Sequence, residues 1–164
     1  MAKAEKTLTD LFETTLRDIY FAEKQILRAL PKMAKKAKSP ELANAFEKHR
    51  DETEVHVERL EQVFEMFGAT ARGKTCDAIV GILDEGKEIM EDFAGTDALD
   101  PGMLAAAQAV EHYEISRYGT LRTWAEQLGM KDAAKLLDLT LAEEKKTDAT
   151  LSQLASMKVN AKAA

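Results

Sequence analysis

His49, Glu52 and His56 stand three and four residues apart in the run His49-Arg50-Asp51-Glu52-Thr53-Glu54-Val55-His56. On an α-helix that spacing stacks a carboxylate and two imidazoles on one face. The same face carries Leu42, Ala45, Val63 and Phe67, so it reads as the buried stripe of its helix. Buried acids and imidazoles are costly without a partner, and a metal ion suits this pair of residue types best. The rest of the site must come from elsewhere in the chain. Glu23, Glu114 and either Glu143 or Glu144 fall within further apolar stripes and are the remaining candidate ligands. Four helices would then each bring a carboxylate near mid-length, with His56 adding an imidazole. Di-iron and di-manganese bundles use a Glu from each of two helices and a Glu-x-x-His from each of the other two. Carboxylates with one or two imidazoles favour iron or manganese over metals that prefer thiolate. Two iron ions are the expected load, with manganese as the other choice.

Neighbouring residues sort around that set. His49 reads as a structural or outer partner. Glu111, one turn before Glu114, is a further candidate, whereas His112 is two residues from Glu114 and points away. Asp148 is another candidate on the last helix. Glu143 and Glu144 are adjacent and cannot both face fully inward. An internal repeat favours Glu143, the three-residue step to Thr147 allows Glu144, and both stay open. Tyr20 and Tyr118 read as core tyrosines hydrogen-bonded to acids. Cys76 has no base near it in sequence and does not read as a nucleophile.

Four long helices and a crossover would position these groups. The expected helices cover about 8–37, 40–67, 101–128 and 131–157, with a shorter one over 75–93, all in a single domain over 1–164. Thr9 with Asp10 marks the first start, and Pro31 predicts a kink near the end. Ser39-Pro40-Glu41 is a compact start signal and Gly68 a stop. Thr75 is the expected cap of the short helix, followed by a loop over Gly95–Asp100. Asp100-Pro101 is expected to cap and open the third long helix, which stops at Gly129. The tail from Asn160 to Ala164 is expected to fray. A connection of this length lets the third long helix run parallel to the second, so the expected fold is an all-α, ferritin-like four-helix bundle. A weak repeat at an offset of 91 pairs Glu23 with Glu114, Leu30 with Leu121, Leu60 with Leu151 and Glu52 with Glu143, while His56 lands on Thr147. It implies two helix pairs about a pseudo-two-fold axis, with an altered half-site in the second.

Composition removes several functions. Net charge is −6 and no basic stripe stands out, which argues against nucleic-acid binding. No apolar run is long enough to span a membrane, and the segment Met1–Lys6 has no signal-peptide core. A single cysteine excludes an intrachain disulfide and suits a reducing compartment, so a cytoplasmic protein is expected.

Five segments carry a resemblance. They are Asp18-x-Tyr20-x-Ala22-Glu23-Lys24-Gln25, Glu52-Thr53-x-x-His56-Val57-x-Arg59-Leu60-Glu61, Glu111-His112-Tyr113-Glu114-Ile115, Tyr118-Gly119-Thr120-Leu121 and Ala142-Glu143-Glu144-Lys145-x-Thr147-Asp148. Together they resemble the YciE/YciF family of bacterial ferritin-like stress proteins, from Thr7 to Met157. The resemblance implies a ferritin-like bundle, a homodimer and kinship with ferritins and rubrerythrins. The chain departs from the wider pattern in three ways. Helix two has Glu52-x-x-x-His56, helix four has no histidine, and no Cys-x-x-Cys pair exists. Three functions follow as expectations. The first is a di-iron stress protein that oxidises Fe(II) or consumes peroxide, with oxygen or peroxide as its small oxidant. The second is a non-enzymatic helical dimer with a structural or interaction role and a degenerate metal site. The third, a manganese catalase-like enzyme, sits poorly with so few histidines.

Overall fold

The computed structural model describes residues 4–164. Met1–Lys3, which begin the segment expected to lack a signal-peptide core, lie outside the described residues. Four long helices form the bundle: α1 (Leu8–Lys36), α2 (Pro40–Phe67), α4 (Leu99–Gln127) and α5 (Lys131–Leu154). The shorter α3 (Asp77–Asp92) lies in the connection between α2 and α4. Among the described residues no helix is long and apolar enough to cross a membrane.

Local chemistry sets the helix ends, in places differently from expectation. Thr7, not Thr9, caps α1: its hydroxyl accepts from Asp10 N and the Asp10 carboxylate accepts from Thr7 N at 2.8 Å. The reciprocal pair needs a three-residue step, which Thr9 lacks. The helix continues through Pro31 to Lys36. Ser39 caps α2 as expected, and Gly68 ends it at φ 83°, a left-handed position that glycine takes without strain. Cys76, not Thr75, caps α3, its sulfur accepting from Ile79 N. Beyond α5 the chain stays helical through a π-turn (Ala155–Val159) and a last turn, α6 (Asn160–Ala163). The tail therefore does not fray as expected, because Val159 is buried and Lys158 pairs with Glu41 at 2.5 Å.

Asp100 departs furthest from expectation. It lies inside the first turn of α4, which starts at Leu99 without a side-chain cap. Its carboxylate instead accepts from Lys38 N at 2.8 Å and Ser39 N at 2.7 Å, at the entry to α2. The starts of α2 and α4 are therefore at the same end of the bundle, so these two helices run parallel. The chain packs α1 on α2, α4 on α5, α2 on α5 and α1 on α4, which puts α2 and α4 on a diagonal. Helix α3 covers α4 and α1, and it comes close because position 102 is glycine. A Cβ there would sit 2.6 Å from the Ile89 methyl. The fold is the ferritin-like four-helix bundle with its crossover helix. Phe12, Leu16, Ile19, Phe46, Leu60, Phe64 and Leu121 fill the core on either side of a polar middle.

Candidate metal centre

The polar middle is made of six buried side chains from all four long helices. Helix α1 gives Glu23, α2 gives His49 and His56, α4 gives Glu111 and Glu114, and α5 gives Glu144. Each occupies a core position of an amphipathic helix, so the apolar pattern around it forces it inward. The ligand atoms of His49, Glu111, Glu114 and Glu144 all lie within 4.8 Å of one another, as do those of Glu23, His56 and Glu144. Glu144 belongs to both groups. Its Oε1 is 3.0 Å from His56 Nδ1 and its Oε2 is 3.8 Å from His49 Nε2, so one carboxylate faces both halves.

Of the residues picked from sequence, Glu23, His56, Glu114 and Glu144 converge here. Glu52 and Glu143 do not. Each is one residue short of the buried face and half-exposed, in contact with an outward imidazole nitrogen. Glu143 Oε2 is 2.8 Å from His56 Nε2, and Arg59 donates to Oε2 at 2.6 Å and to Oε1 at 3.0 Å. Glu52 Oε2 is 3.8 Å from His49 Nδ1 and accepts from Thr147 at 3.4 Å. The choice left open in sequence therefore falls to Glu144. His49, expected to be an outer partner, is inside, with Nε2 2.9 Å from Glu111 Oε1. His112 points away and pairs with Asp148 at 3.3 Å, so Asp148 stays outside the cluster.

Thr53 is the buried residue that spacing missed. Its hydroxyl donates to the His49 carbonyl at 2.7 Å. The inward pairs are Thr53-x-x-His56 on α2 and Glu144-x-x-Thr147 on α5. Each keeps one member of a Glu-x-x-His pair and replaces the other with threonine. Positions 53 and 144 differ by 91, as do 56 and 147, so the repeat was the right signal read one residue off.

Electrostatics mark the cluster as under-compensated. Burial opposes charge on His49, but the Glu111 and Glu52 carboxylates outweigh it and raise its pKa to about 10. Burial likewise opposes charge on His56, and Glu144 and Glu23 raise it to about 11. Burial, with Glu144, Glu23 and Glu111 nearby, pushes Glu114 well above the usual carboxylate range. Burial also pushes Glu144 upward, against the pull of His56. At the rim, Arg59 holds Glu143 low and His49 holds Glu52 low.

The residues fit a pair of divalent cations. Both oxygens of Glu114 and of Glu144, and one each of Glu23 and Glu111, have no hydrogen-bond partner among the described residues. The close His49–Glu111 and His56–Glu144 contacts miss hydrogen-bond angles, so they are charge contacts. Such orphaned buried acceptors are costly. Two divalent cations would balance the four carboxylates with both imidazoles neutral. Tyr118 donates to Glu23 Oε1, leaving Oε2 free. Tyr20 bonds Glu61 at 2.8 Å instead. Cys76 does have a polar neighbour, Tyr113, whose hydroxyl is 3.0 Å away and donates to Asp18. Burial raises the thiol pKa, which leaves it a helix cap rather than a nucleophile.

Known proteins share this architecture. Protein YciF of Escherichia coli (strain K12) is 46% identical over 159 residues, covering 96% of each chain. The crystal structure of the E. coli stress protein YciF matches with a TM-score of 0.90 at 45% identity, covering 95% of this chain and 99% of that one. YcfI from Rhodopseudomonas palustris matches with a TM-score of 0.88 at 43% identity, covering 93% of this chain and 97% of that one. A protein from Xanthomonas campestris pv. campestris, at 21% identity and a TM-score of 0.75, shares the fold. With the DUF892 family model, described as a domain of unknown function, matching residues 7–164, this chain belongs to that family.

Proposed function

We propose that this chain is a metal-binding stress protein that takes up two iron ions in the bundle core and oxidises Fe(II) or consumes peroxide. The observation that carries the reading is the set of orphaned buried carboxylate oxygens around Glu144. Glu144, which faces both imidazoles, would belong to both positions. His56 and Glu23 would complete one, and His49, Glu111 and Glu114 the other. Iron, when bound, supplies one-electron redox chemistry toward oxygen or peroxide. The chain's own residues orient the ligands. Tyr118 fixes Glu23, Thr53 anchors the α2 backbone at His49, and Glu143 with Arg59 holds the outer nitrogen of His56. Such outer partners set the tautomer and aim of metal-binding imidazoles. Manganese fits the same oxygen-rich donor set. The stress role rests on likeness to YciF, a cytoplasmic site on the lone reduced cysteine, and a homodimer on the family resemblance; sedimentation tests the last.

The test is Fe(II) loading of anaerobically purified protein, with elemental analysis and near-ultraviolet absorbance followed on admitting air. Two irons per chain with a rising absorbance support the reading; no bound metal overturns it. A second reading is a helical dimer with a structural role, its core charges paired internally. The 2.9 Å and 3.0 Å His–Glu contacts favour it, as does the description of YcfI as a proposed structural protein. It requires that chelation leave the melting temperature unchanged.

A further inference from the structure

Opposite charges run in two ridges along the outer face of the α1–α2 hairpin. On α1, Lys24, Arg28, Lys32 and Lys35 are exposed, at steps of three and four residues. On α2, Glu47, Asp51, Glu54 and Glu58 are exposed at the same steps, and Glu65 continues the line. Such steps keep each set on one side of its helix, away from the buried stripe. Among the described residues no ion pair joins the two ridges. Asp51 pairs with Arg50 on its own helix, and Lys24 lies over the Tyr20 ring. A groove between the helices is lined by Pro31, Ala34 and Lys35 from α1 and by Glu47, Arg50 and Asp51 from α2. The face therefore offers a row of cations beside a row of acids, with space between them.

We propose that this face docks a second copy of the chain, with α1 of one protomer laid antiparallel on α2 of the other. The inference rests on the homodimer reading and gives it a face and a symmetry. Two kinds of two-fold axis could lie in such an interface. An axis perpendicular to the helices stacks α1 on α1 and α2 on α2. That sets cation on cation and acid on acid, and the repulsion excludes it. An axis parallel to the helices stacks α1 on α2 and keeps each residue at its own height. Contacts across the hairpin fix those heights: Tyr20 bonds Glu61, and Lys35 shares the groove with Glu47. Counting along both helices from these points, Lys24 of one protomer comes level with Glu58 of the other. Arg28 then meets Glu54, Lys32 meets Asp51 and Lys35 meets Glu47, and each pair occurs twice in the dimer. Single exposed ion pairs contribute little, so the repeat carries the association and salt weakens it.

Sedimentation equilibrium of the full chain reads the dimer. Its dissociation constant should rise roughly tenfold or more between about 0.05 M and about 0.5 M sodium chloride. Arg28→Glu with Lys32→Glu reverses the α1 ridge, and Asp51→Lys with Glu54→Lys reverses the α2 ridge. Each double variant alone should be a monomer at low salt. An equimolar mixture of the two should dimerise again, because the reversed α1 ridge then meets the reversed α2 ridge and the unreversed ridges meet each other. All four positions are exposed, so both variants should melt near the wild-type temperature. A dimer that persists in either variant overturns this face and leaves the homodimer reading standing, and so does a mixture that stays monomeric. A wild-type chain that is monomeric at low salt overturns both and gives the face to another partner or to solvent. The metal reading is untouched by either result, since no step of the test uses metal.

Discussion

Among the described residues Glu144 is the one carboxylate within 4 Å of both imidazoles, and this singles it out among the acids. Glu144→Ala should remove both irons per chain. Glu52→Ala and Glu143→Ala, at the rim, should leave stoichiometry intact and change only loading rate or affinity. Elemental analysis of the three variants checks this; equal loss in all three would mean the ligand set has been misplaced. The metal-free protein should also show a pH dependence of defined sign. His49 and His56 have folded values of about 10 and about 11 against an ordinary 6.5. Their stabilising contribution is fully present below 6.5 and is lost as pH rises through those folded values. The raised values of Glu114 and Glu144 act with the same sign, from the carboxylate range upward. Thermal melts of metal-free protein should therefore fall as pH climbs from about 6.5 toward 10. Bound metal, which displaces those protons, should flatten the slope. Residue types and the repeat were legible in sequence, but the inward face was not fully so. Glu52 and Thr53, like Glu143 and Glu144, straddle the edge of their stripes. A turn of 100° per residue leaves both inward by pattern, and packing against α5 and α2 decides.

At the scale of elements, Asp100 joins the start of α4 to the entry of α2 through two backbone hydrogen bonds. Asp100→Ala leaves both amides without their acceptor and should cost about 1–2 kcal/mol. For a chain of this length that lowers the melting temperature by roughly 2–4 °C per kcal/mol, readable by circular dichroism. An unchanged melt would mean solvent serves those amides equally well. The sequence places Asp100 before a proline, which reads as a local cap. A carboxylate 62 residues from its partner amide leaves no local signature. The long helices were legible because Ser39-Pro40, Gly68 and Gly129 punctuate long amphipathic runs. The helical tail was not, since Val159 is its one buried residue and its ion pair with Glu41 spans 117 positions.

For the whole molecule, the site takes residues from both ends of the chain, so a ligand that binds it stabilises the entire bundle. Metal at a hundredfold excess over Kd should add about 2.7 kcal/mol. That amounts to a rise of roughly 5–10 °C, reversed by a chelator. No rise with either iron or manganese would favour the structural reading. The division of ligands between the halves has a consequence for how the chain folds. The α1–α2 hairpin carries Glu23 and both imidazoles, while the α4–α5 hairpin carries three acids, Glu111, Glu114 and Glu144. Each hairpin is a local structure that closes quickly. The second, alone, gathers like charges on the face it must bury. Its acids are relieved only when the first hairpin docks with its cationic imidazoles, or when metal arrives. Joining of the halves is then the charge-gated, late step of assembly, and the centre of the bundle doubles as a check that both halves have met.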